Sequence, residues 1–292
     1  MSQARVIIFY YNREQKHHTR LMKLLHASCP GLKSIFETRD FSRNIRINQR
    51  ADYIVFAGMI RGEGNIYKWC QNNNKRFFYL DHAYLERGYN QHNTSTEWMR
   101  VTDTGFTWNH LEERDDARWN RYFANKYQLR PWNQNRDKPN ILVLPPSLAT
   151  QFLFPESKNW LDQTVRVLRT KTKKNIVVRE KPMQPMLDTR NNIIDRVRYD
   201  HPLTIEQELD QACAVITFNS AVAVEATLRG IPVIGHATAA CAPMNFNMDQ
   251  MDDPPEPPRQ AWLNQLVYHQ YRTEEMVNGD IWKMLLDNGA KS

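Results

Sequence analysis

The sequence predicts a two-domain α/β protein, and three observations predict it. Short apolar runs alternate with segments of helical spacing between Val6 and Leu80. The same alternation restarts at Asn140, after a stretch rich in Trp, Asn and Arg that breaks it. Loops of glycine, proline or small polar residues follow several runs, as expected at strand ends of a parallel sheet covered by helices.

Val6–Tyr10 reads as the first strand, and a helix over about 14–27 stops at Cys29-Pro30-Gly31. Leu32–Phe36 is a weaker strand. Tyr53–Ala57 is a strong one, followed by the loop Gly58–Gly64 and a helix at Asn65–Gln71. Arg76–Leu80 is the next strand. Between 85 and 135 only Leu111–Tyr127 reads as helical. In the second half, strands are expected at Asn140–Leu144, Ile176–Arg179, Ala214–Phe218 and Ile231–Ile234. Helices are expected at Lys158–Leu168, at Thr204–Gln211 with Thr204 as N-cap, and at Ser220–Arg229. The proline-rich stretch Asp252–Gln260 leads to helices near Gln260–Gln270 and Glu274–Leu286, the second with Thr273 as N-cap and Asn288-Gly289 as its stop. These readings divide the chain into 1–135, 136–258 and 259–292.

The totals exclude several classes. Of 292 residues, 41% are hydrophobic and 24% charged, which is ordinary for a globular chain. No apolar run reaches the roughly 18 residues of a membrane span. The start, MSQARVIIFYYNREQ, lacks the apolar region and cleavage site of a signal peptide, so a cytoplasmic location is expected. Cys29, Cys70, Cys213 and Cys241 match no zinc spacing and read as buried or incidental thiols, and no metal is expected. Neither a P-loop nor a G-x-S-x-G elbow occurs. Asp249, Asp252 and Asp253 read as a solvated connector. The net charge of +7 suits a polyanionic partner.

The segment Asp210–Gly235 carries the most local information. It reads as buried strand, tight turn, helix, glycine, buried strand. Asn219 and Ser220 stand where the strand gives way to the helix, and bare amides there suit a pyrophosphate. Small side chains at Ser220 and Ala221 allow close approach, and Glu225 is placed to accept ribose hydroxyls. The plain structural alternative is a βαβ crossover with an N-capping Ser220 and a surface Glu225.

FNSAVAVEATLRGIPVIG resembles the donor-binding segment of GT-B glycosyltransferases, and more narrowly of the capsule-polysaccharide/Kdo-transferase-like group and related bacteriophage DNA (5-hydroxymethylpyrimidine) glycosyltransferases. YHQYRTEEMVNGDIWKMLL is similar to the ending of that group, and FYLDHAYLERG to its N-domain loop. The resemblance implies two Rossmann-like domains facing a central cleft, with the C-terminal helices crossing back to the N-terminal domain. It implies a nucleotide-sugar donor, most simply a UDP-sugar, and no further cofactor. For a bacteriophage protein the location becomes the host cytoplasm.

Ligands of open parallel sheets sit beyond the carboxyl ends of strands. That rule adds Ser147, Arg179 and Lys181 on the donor side, the two cations facing the diphosphate. On the acceptor side it nominates Arg61 and Glu63, then Asp81 and His82, with Tyr84 and Arg87 holding sugar or acceptor. Proton removal from an acceptor hydroxyl falls to Asp81, His82 or Glu63, with Asp81 favoured. Trp98, Arg100, Trp108, Arg114, Arg118, Trp119, Arg121, Tyr122 and Trp132 mix cations with aromatics, as a surface for double-stranded DNA and a flipped base does, although core packing explains tryptophans equally. The expected acceptor is therefore a hydroxymethylated DNA base. A surface polysaccharide acceptor, or a non-catalytic nucleic-acid-binding protein on the same scaffold, are the alternatives.

Overall fold

A computed structural model describes residues 5–86 and 98–288. In chain order its elements are β1 (Val6–Tyr11), α1 (Lys16–Ser28), β2 (Leu32–Glu37), α2 (Ile45–Arg50), β3 (Tyr53–Ala57), α3 (Glu63–Asn72), β4 (Phe77–His82) and β5 (Trp98–Asp103). There follow α4 (Ala117–Tyr122), β6 (Asn140–Leu144), α5 (Leu148–Leu153), α6 (Trp160–Lys171), β7 (Asn175–Val178), β8 (Met183–Leu187), β9 (Ile193–Arg198), α7 (Ile205–Asp210), β10 (Ala212–Thr217), α8 (Val222–Leu228) and β11 (Val233–Gly235). The chain closes with α9 (Arg259–Leu266), β12 (Gln270–Arg272), α10 (Thr273–Val277) and α11 (Asp280–Asn288). One unit comprises Met1–Phe106, Asp188–Ile193 and His269–Ser292, the other Thr107–Leu187 and Ile194–Tyr268.

The first unit is built on a six-stranded sheet in the order β12-β5-β4-β3-β1-β2. β1 to β4 are parallel, whereas β5 runs antiparallel to β4 and β12 antiparallel to β5. Every residue of β3 is buried, as a central strand covered on both faces requires. Leu21, Met22 and Leu25 of α1 meet Met276, Ile281, Trp282 and Leu285 of the tail over Ile7, Phe9, Val55 and Phe78. Trp282 donates to Ser28 Oγ at 3.1 Å and sets its ring edge against Phe9 and Phe78. The tail thus completes both the sheet and the core of this unit, while α9 belongs to the second. The single helix expected at Glu274–Leu286 is two, broken at Gly279, whose φ of +83° ends helical geometry. Arg272, one residue before Thr273, takes the cap position.

The second unit has a parallel sheet in the order β11-β10-β6-β7 and a separate pair, β8-β9. Ile141, Val143 and Ile216 pack with Leu168 of α6. Thr204 caps α7 in a full capping box with Gln207. Gly230, at φ +74°, packs so tightly that an added Cβ would lie 2.0 Å from the Pro131 carbonyl oxygen.

Three further differences separate the structure from the sequence reading. Trp98–Asp103 is a buried strand; because it pairs antiparallel to β4, it falls outside the parallel rhythm that guided the reading. Only Ala117–Tyr122 of the expected Leu111–Tyr127 helix forms. Asp115 accepts from the Ala117 amide and starts the helix there, while the Glu112 amide is engaged by Gln265. The β8-β9 pair was not expected at all.

Candidate functional site

The parallel strands of each sheet reverse their direction of growth at one place, where neighbouring loops diverge and leave room for a ligand. In the second unit β6 has β7 on one side and β10 on the other, so Pro145-Pro146-Ser147 and Phe218-Asn219-Ser220 flank the opening. In the first unit β1 has β2 on one side and β3 on the other, so the loops after Tyr11 and Ala57 flank it.

At the opening of the second unit, Thr217 Oγ1 donates to the Leu144 carbonyl at 2.9 Å and accepts the Ser220 amide at 3.0 Å. Ser220 Oγ accepts the Val222 amide at 3.2 Å, and the Ala223 amide donates to the Ser220 carbonyl. The amides of Ser220 and Val222 are therefore not bare, contrary to the sequence reading. Hydroxyls at 217 and 220 satisfy them within the turn. Ala221 is the N-cap residue of α8. A donor does remain unspent: Asn219 Nδ2 is buried and has no hydrogen-bond partner. Phe218 beside it stacks on His236 at 4.2 Å, and burial lowers the His236 imidazole below its ordinary value. Ser147 caps α5 by accepting the Thr150 amide.

The expected cations and Glu225 are arranged differently from the reading. Arg179 pairs with Glu208 at 2.8 Å and donates to the Leu203 carbonyl, and both charged side chains are almost wholly enclosed. That charge is neutralised by α7 instead of facing a diphosphate. Lys181 is exposed and has no carboxylate partner among the described residues. Glu225 accepts from Arg229 at 2.6 Å, one turn further along α8.

In the first unit the strand register sets Asp81 opposite Arg100. They pair at 2.8 Å, and Asp81 also accepts from Tyr79 Oη at 2.5 Å and from the His82 amide at 2.8 Å. Burial opposes ionisation of Asp81, but Arg100, His82 and Tyr79 outweigh it and hold the carboxyl well below the usual carboxylate range. Such a carboxylate is a weak proton acceptor at neutral pH. Tyr84 is buried with its ring 5.5 Å from the Arg100 guanidinium, and its amide donates to Gln270. His82 is exposed at the end of β4. Arg87 lies outside the described residues.

Glu63 begins α3 and is 1% exposed. Its Oε1 accepts from Thr38 Oγ1 at 3.3 Å, and its Oε2 has no partner. Burial pushes its carboxyl up to about 8, against the weaker pull of the helix start, Thr38, Arg61 and Asn12. The first amides of α3 are not open to an anion either. Asn191 Oδ1 accepts from Gly62 at 2.9 Å and Gly64 at 3.0 Å, and its carbonyl accepts from Arg61 at 2.6 Å. Asn191 is a helix cap supplied from 127 residues downstream. His18, in the first turn of α1, lies against Gly58 with its ring 6.3 Å from that of His82. Burial drives its imidazole down to about 4, with Asp81 offsetting only part of the shift.

Beside Thr38 and Gly62 the first unit opens a groove of about 810 Å³, which Asp81, His82, Tyr84, Glu63 and His18 do not line. Arg13, Glu14, Glu37, Arg39, Arg61 and Arg190 supply its charged lining. Sequence reasoning named only Arg61 among them. The strand-end rule points to the loops after β1 and β2 as well as to those after later strands. The cation-aromatic stretch changes meaning as well. Trp98, Arg100, Arg118 and Trp119 are buried, Arg118 donating to the Val267 carbonyl, and Trp132 Nε1 donates to the Pro254 carbonyl. Much of what read as a nucleic-acid surface is core.

All four cysteines are buried free thiols, and Asp249 pairs with Lys171. Among the described residues no group of His, Cys, Asp and Glu is placed to hold a metal, and no helix is long and apolar enough to cross a membrane. No family model matches the chain, and no curated protein does. Among solved structures, it is similar to KpsC of Thermosulfurimonas dismutans, a beta Kdo 2,7 transferase, with a TM-score of 0.51 and 12% identity over 94% of this chain and 98% of that one. The likeness is one of fold: the chain shares a mixed α/β architecture with that protein.

Proposed function

We propose that the protein is a glycosyltransferase that moves a sugar from a nucleotide-sugar donor, most simply a UDP-sugar, to a hydroxyl acceptor. The observation that carries this reading is the unsatisfied Asn219 carboxamide at the β6/β10 opening. A buried donor without a partner costs about 1–3 kcal/mol, and a ligand oxygen or an ordered water removes that cost. A diphosphate oxygen there completes the bond. Ser147 and Ser220 flank the same opening with small hydroxyl side chains, and Lys181 is the exposed cation nearest in sequence to the end of β7. The fold likeness to a sugar transferase supports the same class.

Transfer needs a proton taken from the acceptor hydroxyl. His82 suits this role better than Asp81, which Arg100 and Tyr79 occupy, or Glu63, which is enclosed. Asp81 then serves the stability of β4 and β5. For the acceptor, the net charge of +7 favours a polyanion such as DNA carrying hydroxymethylated bases, now without the help of the buried tryptophans. A panel of UDP, GDP, CDP and CMP in thermal melting tests the donor. One of them should raise the midpoint in the wild type and lose most of that effect in Asn219→Ala. Absence of a shift with every nucleotide refutes the reading.

A further inference from the structure

His236 is held in one orientation more firmly than a partly exposed strand-end side chain requires. It follows β11 as Phe218 follows β10, and the register Thr217 to Gly235 sets the two residues at one level. Their rings stack with centroids 4.2 Å apart and planes 10° from parallel. Phe218 is itself fixed by Phe154 and Trp160, each ring 6.0 Å away. The backbone is tied as well. The His236 amide donates to the Thr217 and Phe218 carbonyls at 3.1 Å. Asn245 accepts the Gly235 amide at 2.7 Å and donates to the Gly235 carbonyl at 2.8 Å. Thr107 Oγ1 donates to the Thr238 carbonyl at 2.7 Å, and Asn109 donates to that of Ala237.

The same turn fixes where the imidazole carries its proton. The Thr238 amide can only donate, and it meets Nδ1 at 3.3 Å. Nδ1 therefore bears no hydrogen, and Thr238 Oγ1, 2.9 Å away, donates to it too. Burial favours the neutral ring, so its one proton sits on Nε2. Nε2 has no partner among the described residues. The spare groups at the ends of β10 and β11 are thus both uncharged N–H donors, Asn219 Nδ2 and His236 Nε2.

We propose that His236 Nε2–H donates a hydrogen bond to a phosphoryl oxygen of the bound nucleotide, as a second neutral donor beside Asn219. His236 has this role only if a nucleotide docks at these strand ends, as proposed above. A phosphoryl group offers several strong acceptor oxygens and no donor, which matches two spare N–H groups. A ribose or sugar hydroxyl would bring a proton of its own to be placed. Arg179 is spent on Glu208, which leaves uncharged donors to meet the phosphoryl oxygens here. A donor whose ring plane and tautomer are already set loses little freedom when the ligand arrives.

Calorimetric titration of uridine, UMP and UDP into the full chain tests the proposal, or of the same series for the base that thermal melting selects. The variants are His236→Gln, His236→Asn and His236→Phe, with unchanged melting curves as the check on folding. Gln places an amide N–H where Nε2 stands, Asn places one at the Nδ1 position, and Phe keeps the stack on Phe218 without a donor. The expected UDP affinity is within about threefold of wild type in His236→Gln and at least about tenfold weaker in the other two, with uridine unaffected by any of them. Imidazole nitrogen shifts of the wild type should report the Nε2–H tautomer at pH 7, a readout that needs no variant to fold. An Nδ1–H tautomer, wild-type affinity in His236→Phe, an equal loss in His236→Gln, or a loss shared by uridine overturns the proposal. Wild-type affinity in His236→Phe together with a loss in Asn219→Ala leaves the donor reading standing. A wild type that binds no nucleotide removes both.

Discussion

Replacing Glu63 by Gln should make the protein more stable, by an amount that grows with pH. The carboxyl is enclosed, one oxygen lacks a partner, and burial raises it from 4.5 to about 8. Between those values the folded chain keeps a proton that the unfolded chain has released. Folding stability therefore declines as pH rises from about 4.5 to 8 and is level above. Ionising a group shifted from 4.5 to about 8 costs about 5 kcal/mol once the pH exceeds both values, and about 3 kcal/mol at pH 7. Gln has no such dependence. Urea unfolding of wild type and Glu63→Gln at pH 5, 7 and 9 measures it. Any altered hydrogen bonding to Thr38 adds a constant at all three. The expected gap between the two proteins widens by about 4 kcal/mol from pH 5 to pH 9. A gap that stays flat refutes the argument that Glu63 is folded in its neutral form.

Other perturbations follow from the same geometry. Asp81→Asn leaves buried Arg100 without its partner and should cost about 3 kcal/mol in chemical denaturation while sparing nucleotide affinity. His82→Gln should lower turnover at least tenfold without changing the melting midpoint, and equal turnover in both proteins excludes its role as proton acceptor. Asn191→Ala strips the cap from the Gly62 and Gly64 amides and should cost about 2 kcal/mol, seen as a fall of roughly 4–8 °C in melting midpoint. For the acceptor, incubation of hydroxymethylated DNA with a donor panel should add a sugar mass to one nucleoside. Unmodified nucleosides from an enzyme that binds nucleotide direct attention to saccharide acceptors.

The parallel strands were legible because each is a compact apolar run closed by turn residues. Tyr53–Ala57 and Asn140–Leu144 match the reading at both ends. Thr204 was legible as the N-cap of α7, and the structure adds Gln207 as its capping-box partner. β5 and β12 were harder. Trp98–Asp103 and Gln270–Arg272 are strands because they pair antiparallel beside β4, and that partner choice is tertiary. The opening at Ser147 and Asn219 was readable from the strand-end rule, since it depends only on chain order and loop composition. The state of the amides within it was not, because Thr217 Oγ1 and Ser220 Oγ could have turned elsewhere. Arg179 and Asp81 show the limit most clearly. A charge at a strand end looks like a ligand group until the fold supplies Glu208 or Arg100. Asn191 was invisible for a related reason, since a cap borrowed from a distant turn leaves no local pattern beside the helix it serves.

The central claim is that a nucleotide diphosphate docks where β6 and β10 part. Nitrogen-proton correlation spectra of the Asn219 side-chain amide, recorded while UDP or the preferred nucleotide is titrated in, test it most directly. The account predicts a saturating shift of that resonance together with the backbone signals of Ser147 and Ser220. A nucleotide that binds yet leaves all three unmoved contradicts it.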